Sequence, residues 1–228
     1  MKRIVVVLVM FCAGGMLFLA KAQEVKINTG FVVEADGTIR SDGNATVWDD
    51  INVFPDATTR GSLTPPTWSQ FLTDGAASQG VYLYFFNASS ENELFFTVQI
   101  PHAYKVGTDL FPHVHWTTLT GTPNSTNSRV TWALEYSVIS IGGTFANTTT
   151  NLGSTIIGTI TPVGTGQHLI TSLGTISGTG LGISSIIVCR FYRDADSATD
   201  DFPNTAGLLG FDIHYQQDTQ GSRQEFIK

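Results

Sequence analysis

From residue 46 onward the chain alternates apolar and polar side chains in short runs, and no stretch repeats at the 3.6-residue period of an amphipathic helix. Period-two runs bury one face of a pleated strand, so a chain patterned this way is all-β. The runs are Thr46–Val53, Gly80–Asn87, Glu93–Ile100, Asp109–Leu119, Arg129–Ile141, Ser154–Thr161, Gln167–Leu173, Ile183–Asp194 and Leu208–Gln217. Thr, Val, Ile, Phe and Tyr dominate them, as half-buried sheets favour, and Gly, Asn, Asp, Ser and Pro separate them. About nine strands in one domain predict a two-sheet antiparallel β-sandwich or jelly roll. With 228 residues the chain is long enough to bury a core without disulfides.

Alternation also assigns faces. Val130, Trp132, Leu134, Tyr136 and Val138 share one side of their run, and Phe211, Ile213 and Tyr215 point inward from theirs. That leaves Asp212, His214 and Gln216 outward. The run Ile183–Arg193 is apolar on both faces at its centre and reads as an interior strand. Gly80–Asn87 is rich in large apolar and aromatic residues on both faces and is expected to be covered on both, by its own domain or by a neighbouring chain. Between Ala146 and Ser185 the chain is rich in Gly, Thr and Ser, and His168 is its only ionisable side chain. Such a segment suits an assembled surface better than a catalytic one.

Residues 1–22 read as a secretory signal peptide. Lys2 and Arg3 precede an apolar run to Leu19, and Ala20-Lys21-Ala22 places small residues where a signal peptidase cuts. The alternative is an uncleaved anchor, for which the run is short. The expectation is export, to the periplasm, cell surface or medium. Residues 23–45 are expected to be an extended segment and 46–228 a single β-sandwich domain. Cleavage removes three of twelve cations and no acid, leaving nine basic against nineteen acidic residues and a net charge of −10. That balance argues against a nucleic-acid partner bound through a basic surface. Cys12 lies in the leader, so Cys189 remains alone in an apolar run, as a buried hydrophobe would.

Three groups of residues are candidates for chemistry. The first is His113 and His115 in Phe111-Pro112-His113-Val114-His115-Trp116. Two histidines two apart on a strand share a face and can reach one metal ion, while Leu110, Val114 and Trp116 take the opposite, apolar face. Gly107-x5-His113-x-His115 resembles the first half of the cupin metal motif, but Leu119 and Thr120 stand where cupins place a Glu. Glu135, Asp212 and His214 complete a site only if their strands adjoin; otherwise ligands come from a second subunit. The alternative is a hydrogen-bonded pair on a polar sheet face. The second group is Asp194, Asp196, Asp200 and Asp201, four carboxylates that are candidates for Ca²⁺, with a solvated loop pairing to Arg193 as the alternative. The third is Trp68 in Thr64-Pro65-Pro66-Thr67-Trp68-Ser69, expected on a loop as a sugar-stacking platform or as a pin to the core. Trp116 and Trp132 are expected in the core. No cofactor is required by any motif; a divalent metal ion or calcium is the candidate.

Several stretches together carry a resemblance: Asp36-Gly37-Thr38-Ile39-Arg40, Asn44-Ala45-Thr46-Val47-Trp48-Asp49-Asp50, Ser78-Gln79-Gly80-Val81, Phe96–His102, Pro112–Trp116, Leu208–Tyr215 and Gly221–Glu225. They resemble a family of uncharacterised proteins of tailed phages and prophages that look like virion-associated β-sandwich proteins. The resemblance spans roughly Asp36 to Glu225. It implies a structural or surface-adhesion role and assigns no catalytic residue. The leader is a departure from it, since virions assemble in the cytoplasm, and an exported host protein of the same fold is the alternative. The sequence thus points to a non-enzymatic, exported structural or adhesion protein, expected to form a homo-oligomer and to meet a cell surface or glycan. A carbohydrate-binding module and a cupin-like metal-dependent enzyme are the alternatives.

Overall fold

The structure is a computed structural model that describes residues 24–27, 30–123, 128–154 and 165–228. The expected leader, 1–22, lies outside the described residues, as do residues 155–161 of the run expected at Ser154–Thr161. Among the described residues the chain forms three antiparallel sheets. Val25–Ile27 (β1), Phe31–Val33 (β2) and Ile39–Ser41 (β3) make a small one, within the segment expected to be merely extended. Ser41 N–H donates to Asp218 O at 2.7 Å, which ties this sheet to the chain's C-terminal part.

The other two sheets form the sandwich. Their strands are Val47–Val53 (β4), Thr59–Arg60 (β5), Thr67–Leu72 (β6), Val81–Phe86 (β7), Glu93–Gln99 (β8), Phe111–Thr118 (β9), Trp132–Ile139 (β10), Thr150–Ser154 (β11), Leu169–Ser172 (β12), Ile186–Arg193 (β13) and Ala206–Gln217 (β14). One sheet runs β12-β9-β14-β7-β6, with β4 also on β14; the other runs β11-β10-β13-β8-β5. The expected interior strand is central: β13 lies between β10 and β8. β14 is long enough to serve two partners on one side. Ala206–Leu208 pair with β7, and Phe211–Gln217 pair with β4. Where β7 crosses, only glycine fits at Gly207, because a Cβ there would come within 2.7 Å of the Phe85 ring.

The core is made where the two inner faces meet. Phe96 and Phe191 of one sheet meet Phe211 of the other at ring separations of 4.9 and 5.6 Å. Trp116 and Trp132 are fully buried, as the alternation predicts. Its own chain covers Gly80–Asn87 only in part. Phe85 and Phe86 are buried, but Val81 and Tyr82 at the start of β7 are exposed.

Cys189 is 2% exposed on β13, and burial pushes its thiol up to about 12. The thiolate is the reactive form, so the native thiol should be inert to a thiol reagent at pH 8 and react once urea unfolds the chain. Reductant should leave the melting temperature unchanged. Rapid labelling of native protein would contradict the burial.

Candidate functional site

The H-x-H of β9 and the D-x-H of β14 meet because these strands are neighbours with Asp212 opposite His113. Strand alternation turns Val114, Trp116, Phe211 and Ile213 into the core, so the intervening His113, His115, Asp212 and His214 share the outer face. β4 adds Asp50 opposite His214 from the other side. His168, just before β12, joins from beyond β9. One chain therefore assembles the group, with no ligand needed from a second subunit.

Asp212 is the centre. It is only 4% exposed, although it stands on the outward face, because imidazoles roof it. His115 Nε2 lies 3.0 Å from Asp212 Oδ2, His214 Nε2 lies 3.3 Å from the same oxygen, and His113 Nδ1 lies 3.6 Å from Oδ1. His214 Nε2 is also 3.1 Å from Asp50 Oδ1, and His115 Nδ1 is 2.7 Å from His168 Nε2. The His113 and His214 ring centroids lie 4.1 Å apart, with the planes tilted by 40°. Burial, and then the neighbouring His214, hold His113 below the usual imidazole range; Asp212 pulls the other way more weakly. Two recesses flank the row. Trp48, Phe111, His113 and His214 line one of about 340 Å³, and Asn52, Phe54, His115 and His168 are among the residues lining another of about 240 Å³.

Glu135 is a correction. It sits on β10 in the other sheet, where it accepts from Thr149 Oγ1 at 2.6 Å and pairs with Arg190 at 3.4 Å. β10 pairs with β11 and β13 rather than with β9 or β14, so Glu135 cannot complete the histidine site. The four loop aspartates are not gathered around one point. Asp200 pairs with Arg193 and Asp201 with Arg129, and among the described residues the four do not come together as a metal-holding group. Arg129 holds the Asp201 carboxyl below its usual range, first through its side-chain hydrogen bond.

Trp68 is exposed but is not on a loop. It lies in β6 opposite Tyr84 of β7, with Gln70 opposite Tyr82. Pro65 and Pro66 end immediately before this strand, which is why the punctuation conceals it. Trp68 stacks on Tyr82 at 6.1 Å and meets Tyr84 edge-on at 4.8 Å. Trp68 is 51% exposed and Tyr82 38%, so these two rings form a solvent-facing ledge on an edge hairpin, with Tyr84 partly buried against the core behind them. The sequence reading missed Tyr82 and Tyr84 as its partners, and Asp50 and His168 as members of the imidazole group. The signals were present: Trp48 and Asp50 alternate outward, and His168 is isolated in an otherwise uncharged stretch.

A larger recess, about 770 Å³, lies beside the small sheet and the C-terminus. Its guanidinium groups are paired: Arg40 with Glu34 and Asp42, and Arg223 with Glu34 and Asp36.

The sequence matches no protein-family model and no curated protein. Among solved structures, the chain is similar to the enzymatically active domain of bacteriophage CBA120 tailspike protein 4, at a TM-score of 0.29 and 11% identity over 75% of this chain. It spans 19% of that protein's length. It is also similar to TmCBM61, solved in complex with β-1,4-galactotriose, at a TM-score of 0.30 and 14% identity, over 75% of this chain and 88% of that one.

Proposed function

We propose that this is an exported, non-enzymatic β-sandwich that attaches to a surface by binding carbohydrate on the Trp68–Tyr82 ledge. The observation that carries the reading is the half-exposed Trp68 indole, braced by two tyrosine rings on rigid strands rather than on a loop. A pyranose presents a C–H face to such a ring. Indole and phenol supply contact area with little rotamer entropy to lose. Gln70, facing the same side, donates to Gln79 O at 3.0 Å and leaves its own carbonyl oxygen for a sugar hydroxyl. One ledge makes a weak contact. A homo-oligomer would multiply it, and assembly belongs to the same reading.

A glycan array followed by calorimetry on the best-binding oligosaccharide tests this. Trp68→Ala should weaken binding at least about tenfold, as loss of a central aromatic contact does. Its melting temperature should stay within a few degrees, because the side chain is half exposed. Binding that survives the substitution, or no glycan bound by the wild type, would remove the reading.

A further inference from the structure

We propose that the outer face of β9 and β14 is a zinc site, with His113 Nδ1, the Asp212 carboxylate and His214 Nε2 as its ligands. One ligand atom from each of these three residues lies within 4.8 Å of the other two. Zinc bonds of about 2.0–2.1 Å at the tetrahedral angle separate neighbouring donors by roughly 3.3 Å. The observed separations are 3.6 Å from His113 Nδ1 to Asp212 Oδ1 and 3.3 Å from His214 Nε2 to the other carboxylate oxygen, Oδ2. An ion would enter with small side-chain adjustments.

The second observation is independent of the spacing. His113 Nδ1 and Asp212 Oδ1 are both buried, and neither has a hydrogen-bond partner. A buried carboxylate oxygen with no donor carries a desolvation cost, and native structures seldom leave one so. Here two such atoms face each other across 3.6 Å, too far for a hydrogen bond and about the distance that a shared metal imposes. A cation between them answers both.

The surroundings fit a metal centre. His115 Nε2 reaches the other Asp212 oxygen at 3.0 Å, and its Nδ1 lies 2.7 Å from His168 Nε2. The consistent arrangement has His168 Nε2–H donating to His115 Nδ1, and His115 Nε2–H donating to Asp212. Such a chain orients a ligating carboxylate from behind, which makes His115 a positioning residue. Asp50 Oδ1, 3.1 Å from His214 Nε2, is placed to supply a fourth ligand from β4. Two imidazoles with carboxylates suit zinc and similar transition ions. Calcium and magnesium prefer all-oxygen shells. The ion would tie β9, β14 and β4 together beside the Trp48–Phe111 recess.

The test uses the tag-free protein, stripped with chelator and returned to metal-free buffer. Calorimetric titration with ZnCl₂ should give one ion per chain. Zinc should also raise the melting temperature, as any ligand of the folded state alone does. His113→Ala and His214→Ala should each weaken zinc binding at least tenfold and abolish the thermal shift. His115→Ala should weaken it by about 10–100-fold, the range for partners of a ligand. His214 is partly exposed, so stripped His214→Ala should melt close to stripped wild type and decides the matter if His113→Ala does not fold. No zinc uptake at 100 µM, uptake unchanged in His214→Ala, or tighter binding of Ca²⁺ than of Zn²⁺ would each overturn the proposal.

Discussion

Arg193→Met is expected to destabilise the protein by about 3–5 kcal/mol, the usual result of stripping one partner from a buried ion pair. For a chain of this size that corresponds to roughly 6–20 °C in melting temperature. Arg193 ends β13 with its side chain fully buried, and Asp200 beside it is 1% exposed. All five guanidinium N–H groups find acceptors. Nε and Nη2 grip Asp200 at 2.9 and 2.6 Å, Nη1 reaches Phe86 O and Asn204 O, and Nη2 also reaches Phe202 O. Asp200 in turn accepts from Thr131 N–H at 2.8 Å. One side chain thus closes the 194–201 loop and ties together the ends of β7, β13 and the approach to β14. Methionine keeps most of the stem's volume but leaves the Asp200 carboxylate buried without its guanidinium, and takes a donor from three carbonyls. Asp200→Asn should cost less, since the guanidinium keeps its three carbonyl partners. The double variant should cost clearly less than the sum of the singles, because both remove one interaction. Urea melts of the four proteins measure this. A loss below about 1 kcal/mol for Arg193→Met would mean that water reaches the pair.

Much of the site was legible because strand alternation is local. From period two alone, His113 and His115 share a face, Asp212 and His214 face outward, and Trp116 and Trp132 turn inward. The structure places all six so. Strand order is not local. Nothing near Glu135 says that β10 belongs to the opposite sheet, and nothing near Asp50 says that β4 lies against β14. Exposure was also misjudged where neighbours decide it. Asp212 is outward by register yet buried, because three imidazoles from two strands close over it. Trp68 was misplaced for a different reason. Pro65-Pro66 signals a loop, and the strand that begins at Thr67 takes its hydrogen bonds from β7, a partner that composition does not reveal.

The two core tryptophans should respond in opposite ways to loss of the indole nitrogen. Trp132 stacks on Phe191 at 5.2 Å and meets Phe86 and Trp116 edge-on at 5.1 and 5.8 Å. Trp132→Ala should therefore cost about 3–5 kcal/mol, since it empties the centre of an aromatic cluster that joins both sheets. Phenylalanine is a different case. The Trp132 Nε1–H is buried with no partner, whereas Trp116 Nε1–H donates to Thr171 Oγ1 at 3.0 Å. Both Trp→Phe changes leave a similar small cavity, worth about 1 kcal/mol. At Trp132 the change also removes an unsatisfied donor, which carries a penalty of about 1–3 kcal/mol, so the net effect should run from neutral to about 2 kcal/mol stabilising. At Trp116 it removes a buried hydrogen bond, so about 1 kcal/mol is added to the cavity term. Trp132→Phe should thus melt above Trp116→Phe in the same buffer. The opposite order would mean that the Trp132 nitrogen has a partner in solution, with a buried water between the sheets as the candidate.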